Sequence, residues 1–187
     1  MFTYHIEFRR SVCVKRASVV VVLLALLLVA APGAMAKSTV TVNPLGFLVG
    51  AFSVEYETEI GRGPITLGVP VFYWSVDTQD LKLTATAFGG GVRYYLEGVP
   101  HEGFYVGAYA VYASVSGKSG SANARATALG LTGAAGYKFT VRDNFVVDIG
   151  VGVGFPVSTN VTEGDIKESQ LGGAMGTSFS VGLGMAF

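Results

Sequence analysis

From Ser178 to Phe187 the chain alternates without a break. Phe179, Val181, Leu183, Met185 and Phe187 fall on one face, and Ser178, Ser180, Gly182, Gly184 and Ala186 on the other. Successive side chains of a β-strand point to opposite faces, so this segment carries large apolar groups on one side and small ones on the other. A helix would mix the two sets. A strand divided this way suits one face in lipid and the other in a crowded lumen, which is the requirement of a membrane-spanning β-barrel.

The same alternation recurs, each time closed by a turn signal. Eight strands are expected: Ser38–Phe47 (broken by Asn43-Pro44), Gly50–Ile60, Ile65–Val76, Leu81–Leu96, Gly103–Val115, Ala122–Val141, a seventh from Phe145 through Phe155, and the terminal strand. In the seventh, Val147, Ile149, Val151 and Val153 alternate with Asp148, Gly150, Gly152 and Gly154. The expected fold is all-β: an eight-stranded antiparallel up-and-down transmembrane barrel. Closure pairs every backbone donor and acceptor, as lipid demands. A soluble β-sandwich would also alternate, but it has no reason to place aromatics at both strand ends.

The N-terminus has a separate logic. Arg9, Arg10, Lys15 and Arg16 precede an apolar run from Ala17 to Ala31, followed by Ala34-Met35-Ala36. This reads as a secretory signal over residues 1–36, leaving a barrel domain over 37–187. The rival reading is a single membrane anchor, for which the run is short. Cys13, the one cysteine, lies in the signal, so the mature chain has no disulfide and no thiol chemistry. From Lys37 onward nine Lys and Arg face twelve Asp and Glu, which gives no reason to expect nucleic acid as a partner.

Counting back from Phe187 with that end in the periplasm, the periplasmic turns are Gly61–Pro64, Glu97–Glu102 and Arg142–Asn144. The outer loops are Val76–Asp80, Ser116–Ser121 and Thr159–Gln170. The last carries Glu163, Asp165, Lys167 and Glu168 and is where an extracellular partner would bind. Tyr56, Tyr94, Tyr95, Phe104, Tyr105, Tyr137, Phe139, Phe145 and Phe187 are expected in a periplasmic-side aromatic girdle. Tyr73, Trp74, Tyr112, Phe155 and Phe179 are expected in an outer one.

Few residues carry chemistry. Gly150-x-Gly152-x-Gly154 and Gly89-Gly90-Gly91 lie within strands, where a phosphate loop needs a strand, a turn and a helix start. They read as room for large side chains and barrel curvature. Glu55, Glu57 and Glu59 share a face that lipid would penalise, so they turn inward or lie near the interface. Their expected partners are Arg93 and Lys138, with Asp148 a further inward acid. A lumen network of Glu55, Glu57, Arg93, Lys138 and Asp148 that plugs the barrel is one reading, and a charged path for cations or protons is the other. His101, alone in the mature chain, is expected to be solvated in a turn. No catalytic residue, cofactor site or metal-ligand spacing is found.

Two resemblances follow from these residues. The terminal stripe Phe179, Val181, Leu183, Met185 and Phe187 resembles the C-terminal signature that the barrel assembly machinery reads in bacterial outer-membrane proteins. Asn43-Pro44-Leu45, Glu55-Tyr56-Glu57, Arg93-Tyr94-Tyr95 and Gly103-Phe104-Tyr105-Val106-Gly107 resemble the "NPL", "EYE", "RYY" and "GFYVG" segments of an outer-membrane family of unassigned function. That resemblance implies a small barrel like OmpX or the OmpA membrane domain, set in outer-membrane lipid, and it implies no activity. The small filled lumen, the lack of a catalytic constellation and the polar outer loops lead to an expected function that is non-enzymatic, structural or surface-interacting, in a monomer. A narrow pore for ions or small solutes is the alternative, and a lipid-modifying enzyme a third. Mass spectrometry of the protein from an outer-membrane fraction should show an N-terminus at Lys37; the intact 19.5 kDa chain there would support the anchor instead.

Overall fold

The computed structural model describes residues 38–78, 81–119, 122–141, 144–163 and 176–187. The expected signal over 1–36, with Cys13, lies outside the described residues. Eight strands form one closed antiparallel barrel in sequence order. They are β1 (Ser38–Val42), β2 (Ala51–Glu59), β3 (Ile65–Asp77), β4 (Leu81–Tyr95), β5 (Gly103–Ser119), β6 (Ala122–Val141), β7 (Phe145–Glu163) and β8 (Gly176–Ala186). Strand parity is that of the alternation: Glu55, Arg93, Lys138 and Asp148 face the lumen. Phe88, Leu129, Val151 and Phe179 face out and are more than 40% exposed.

The strand ends differ from expectation in three places. Asn43-Pro44 does not merely interrupt the first strand. Asn43 Oδ1 accepts from the backbone N–H of Leu45 (3.0 Å) and Gly46 (3.3 Å), and Pro44 opens a short helix α1, Pro44–Leu48. An Asn cap with Pro at the first helical position satisfies the free donors of a helix start, which a strand could not do. Trp74 Nε1 donates to Val49 O at 2.9 Å and ties the end of α1 to β3.

The fifth strand continues past Val115 to Ser119, and the seventh past Phe155 to Glu163. Of the expected loops Ser116–Ser121 and Thr159–Gln170, residues 116–119 and 159–163 are thus strand. Of the latter, 164–170, with Asp165, Lys167 and Glu168, lies outside the described residues. Polarity contrast fades in these extensions because water meets both faces, yet ladder hydrogen bonds persist. Opposite Leu129 and Gly130 the β7 register skips Val157, next to Pro156, a bulge that suits a residue without an N–H.

The barrel closes where β1 meets β8. Ser38 N donates to Phe187 O and Phe187 N to Ser38 O, both at 2.9 Å. β1 offers only Thr39–Val42 to β8. Gly184 sits in this seam so close to β1 that a Cβ would collide with the Val40 carbonyl and lie 2.7 Å from Thr41 Cα. Gly184→Val should therefore prevent full closure. In refolded samples, the heat-modifiable compact band on a detergent gel should be lost or reduced at least several-fold; normal closure would show that the seam relaxes.

Candidate functional site

The interior is charged. Buried side chains include Glu57, Arg93, Lys138, Asp148, Thr39 and Thr66, together with Tyr95, Tyr105 and Tyr109. Parity brings them inward, and register brings them level: Thr66 pairs with Arg93 across β3–β4, Gly103 with Lys138 across β5–β6, and Lys138 with Asp148 across β6–β7.

The structure brings together all five charged residues named from the sequence. Glu57 is the hub. Its Oε1 accepts from Thr66 Oγ1 at 2.5 Å and Tyr95 OH at 2.7 Å. Its Oε2 accepts from Arg93 Nη1 at 2.9 Å and from Lys138 Nζ. Arg93 reaches three carboxylates, the others being Asp148 Oδ2 (2.7 Å, Nη1) and Glu55 Oε2 (2.6 Å, Nη2). Lys138 Nζ also lies 3.4 Å from Asp148 Oδ2 and donates to Thr39 Oγ1 at 3.3 Å. Buried ions stay charged at tolerable cost only when partners and hydrogen bonds replace water, and here every carboxylate has at least two donors.

Tyrosines complete the cluster. Tyr105 OH donates to Asp148 Oδ1 (2.8 Å), Tyr109 OH to Glu55 Oε1 (3.0 Å), and Arg93 Nε to Tyr109 OH. The Arg93 guanidinium carbon lies 4.3 Å from the Tyr105 ring centroid, a cation–π contact. The inward glycines seat these rings. A Cβ at Gly91 would lie 2.6 Å from the Tyr109 ring and one at Gly68 3.1 Å from it, while one at Gly150 would lie 2.8 Å from Tyr105 OH. The rings lean in opposite directions from β5: Tyr109 over β4 and β3, Tyr105 over β6 and β7.

Three expectations are corrected. Tyr95 and Tyr105 do not belong to the aromatic girdle; they are 0% and 3% exposed and face the lumen. Strand parity with Arg93 and Gly107 was the available signal for both. Tyr109, Thr66 and Thr39 are participants that the charge pattern did not disclose. His101 is not solvated. The Leu96–Glu102 turn folds beneath the lumen with His101 in a left-handed conformation (φ 62°), leaving the ring 4% exposed. Its Nδ1 stands 3.6 Å from Glu57 Oε1 and its Nε2 4.0 Å from Glu59 Oε1. On the α1 side of the cluster lies a cavity of about 340 Å³, floored by Glu55, Arg93, Tyr105 and Tyr109 and walled by Ser53, Phe72, Thr132 and Ser178. Among the described residues, no group of His, Cys, Asp and Glu is arranged to hold a metal ion.

Comparison with known proteins places the chain. It belongs to DUF3575, a family of proteins of unknown function, whose model matches residues 19–168. No curated protein matches it. Among solved structures it is similar to the N-terminal β-barrel domain of Pseudomonas aeruginosa OprF, with a TM-score of 0.58 and 11% identity over 81% of this chain and 97% of that one. It is also similar to Neisserial surface protein A, with a TM-score of 0.53 and 14% identity over 81% of this chain and 96% of that one. At these identities the likeness establishes the fold: a closed eight-stranded barrel of the outer-membrane kind.

Removing Arg93 strands three carboxylates in the barrel. Arg93→Ala should destabilise by about 3–5 kcal/mol, the usual penalty for breaking a buried ion pair from one side. Urea unfolding of protein refolded in lipid measures it, and an unchanged midpoint would show that the cluster bears no stability.

Proposed function

We propose that this chain is an integral outer-membrane barrel with a sealed lumen, serving a structural or surface-interaction role and catalysing no reaction. The observation that carries this reading is the cross-lumen cluster. Glu57 on β2 meets Lys138 on β6, four strands away in an eight-strand ring, and Arg93 on β4 meets Asp148 on β7. Tyr95, Tyr105 and Tyr109 fill the remaining section, and the His101 turn lies beneath. A conducting path would have to part these pairs in a low-dielectric interior, which supports a plug over a pore. The acids and bases bond one another, which supports a structural role over acid–base chemistry.

Placement in the outer membrane rests on the signal-like N-terminus, the apolar outer face and the kinship of fold. On this reading the protein is a monomer in outer-membrane lipid, the stripe from Phe179 to Phe187 is read by the assembly machinery, and residues 159–170 face any extracellular partner. The test is conductance across a planar bilayer after verified insertion. The wild type should be silent at 100 mV. Discrete, reproducible steps would overturn the sealed lumen in favour of a pore, and deacylated lipid A in cells expressing the protein would overturn the non-enzymatic reading.

A further inference from the structure

The outward face of β4, β5 and β6 changes character abruptly along the strands. Phe88, Tyr112 and Leu129 form one rung by register, with the Phe88 and Tyr112 rings 5.4 Å apart. Phe104 lies eight residues below Tyr112 on the same face of β5, about 27 Å along the strand. At a tilt near 40° that is about 21 Å of height, close to the usual apolar band, so the Phe88–Tyr112–Leu129 rung marks its upper edge.

Above this edge the wall turns polar, then basic. The next rung is all hydroxyl: Thr86, Ser114 and Thr127. Then come Thr84, Ser116 and Arg125, and then Lys82, Lys118 and Asn123. Alternation puts these on the same outward face as the band. They lie about 10 and about 15 Å above its edge, the depth of a headgroup layer on a leaflet whose lipids carry large heads. Those last six side chains line a shallow groove of about 390 Å³.

The charges are arranged in a way that the fold alone does not favour. Lys82 and Lys118 are directly opposite one another, and like charges in that position repel. Arg125 stands on the adjacent rung. Among the described residues, the acids paired with these cations stand at the flanks. Asp77 lies 3.4 Å from Lys82, with both side chains more than half exposed, and Glu163 is the register partner of Arg125. Lys118, at the centre, has no acid facing it in the register. An anion bound among the three cations would relieve the repulsion, with Thr84, Ser116 and Asn123 supplying hydrogen bonds.

We propose that this groove binds the phosphate groups of an outer-leaflet phosphorylated glycolipid. The direction of the groove selects that source over a soluble polyanion: it opens sideways, in line with the lipid-facing stripe, so a lipid whose chains lie along Phe88 and Tyr112 presents its head here. The inference rests on the outer-membrane reading above.

The test uses the full mature protein refolded in detergent, titrated with fluorescent lipopolysaccharide and with the same glycolipid stripped of phosphate. The wild type should bind the phosphorylated form at least ten-fold more tightly. The combination K82Q, K118Q and R125Q should erase that preference, Lys118→Glu should reduce it several-fold, and Arg62→Gln, in a turn at the opposite end, should leave it unchanged. Heat-modifiable migration establishes that each variant folds. A wild type that inserts into vesicles yet binds both lipids equally, or prefers heparin to lipopolysaccharide, overturns this inference and leaves the barrel reading standing. A wild type that does not insert overturns both.

Discussion

One carboxylate organises the interior. Glu57 accepts hydrogen bonds from Thr66, Tyr95, Arg93 and Lys138, donors carried by β3, β4 and β6. An ion in a low-dielectric space is tolerated only if its partners replace the lost water, and no single strand can supply them. The carboxylate therefore requires that three other strands be in register at once. A slip of one residue in β4 would send Arg93 to lipid and leave Glu57, Glu55 and Asp148 without their shared cation. The cluster thereby specifies register and ties opposite walls together, in a barrel whose outer face is apolar and offers little sequence-specific guidance.

The glycines and tyrosines form a second, steric layer of the same logic. Tyr109 can lie flat over β4 and β3 because Gly91 and Gly68 present no side chain there, and Gly136 and Gly150 do the same for Tyr105. Each ring then carries its hydroxyl to a carboxylate: Tyr109 to Glu55, Tyr105 to Asp148. Small residues on the lumen face are thus the complement of two particular rings. Enlarging a glycine would displace a ring and, through it, a hydrogen bond to the charge cluster.

How much of this was legible in the sequence depends on whether the two strand faces meet different surroundings. Within the band they do, and alternation alone assigned inward and outward residues in β6, β7 and β8. Beyond the band both faces are wet, so the continuation of β5 to Ser119 and β7 to Glu163 left no polarity trace. The inward direction of Glu55, Glu57, Arg93, Lys138 and Asp148 was readable from parity, but which donor serves which oxygen depends on register around a closed ring. Tyr95 and Tyr105 were misassigned because they sit at the height of a girdle, and only their parity tells them apart from Tyr94 and Phe104. His101 was opaque for another reason: a left-handed backbone in a turn redirects the ring inward, and no spacing rule anticipates that.

The strands are unequal around the ring: β1 has 5 residues and β2 has 9, whereas β5, β6 and β7 have 17, 20 and 19. About 9–11 suffice to cross a bilayer. The excess is concentrated on one arc of the circumference, while the opposite arc ends near the height of the short helix α1. Such a cylinder has a front and a back. Seen from above a crowded membrane it is not interchangeable under rotation, because a neighbour approaching the tall arc meets a rigid hydrogen-bonded ribbon that, among the described residues, the low arc does not present. The unequal strands give the molecule a compass bearing in the plane of the membrane.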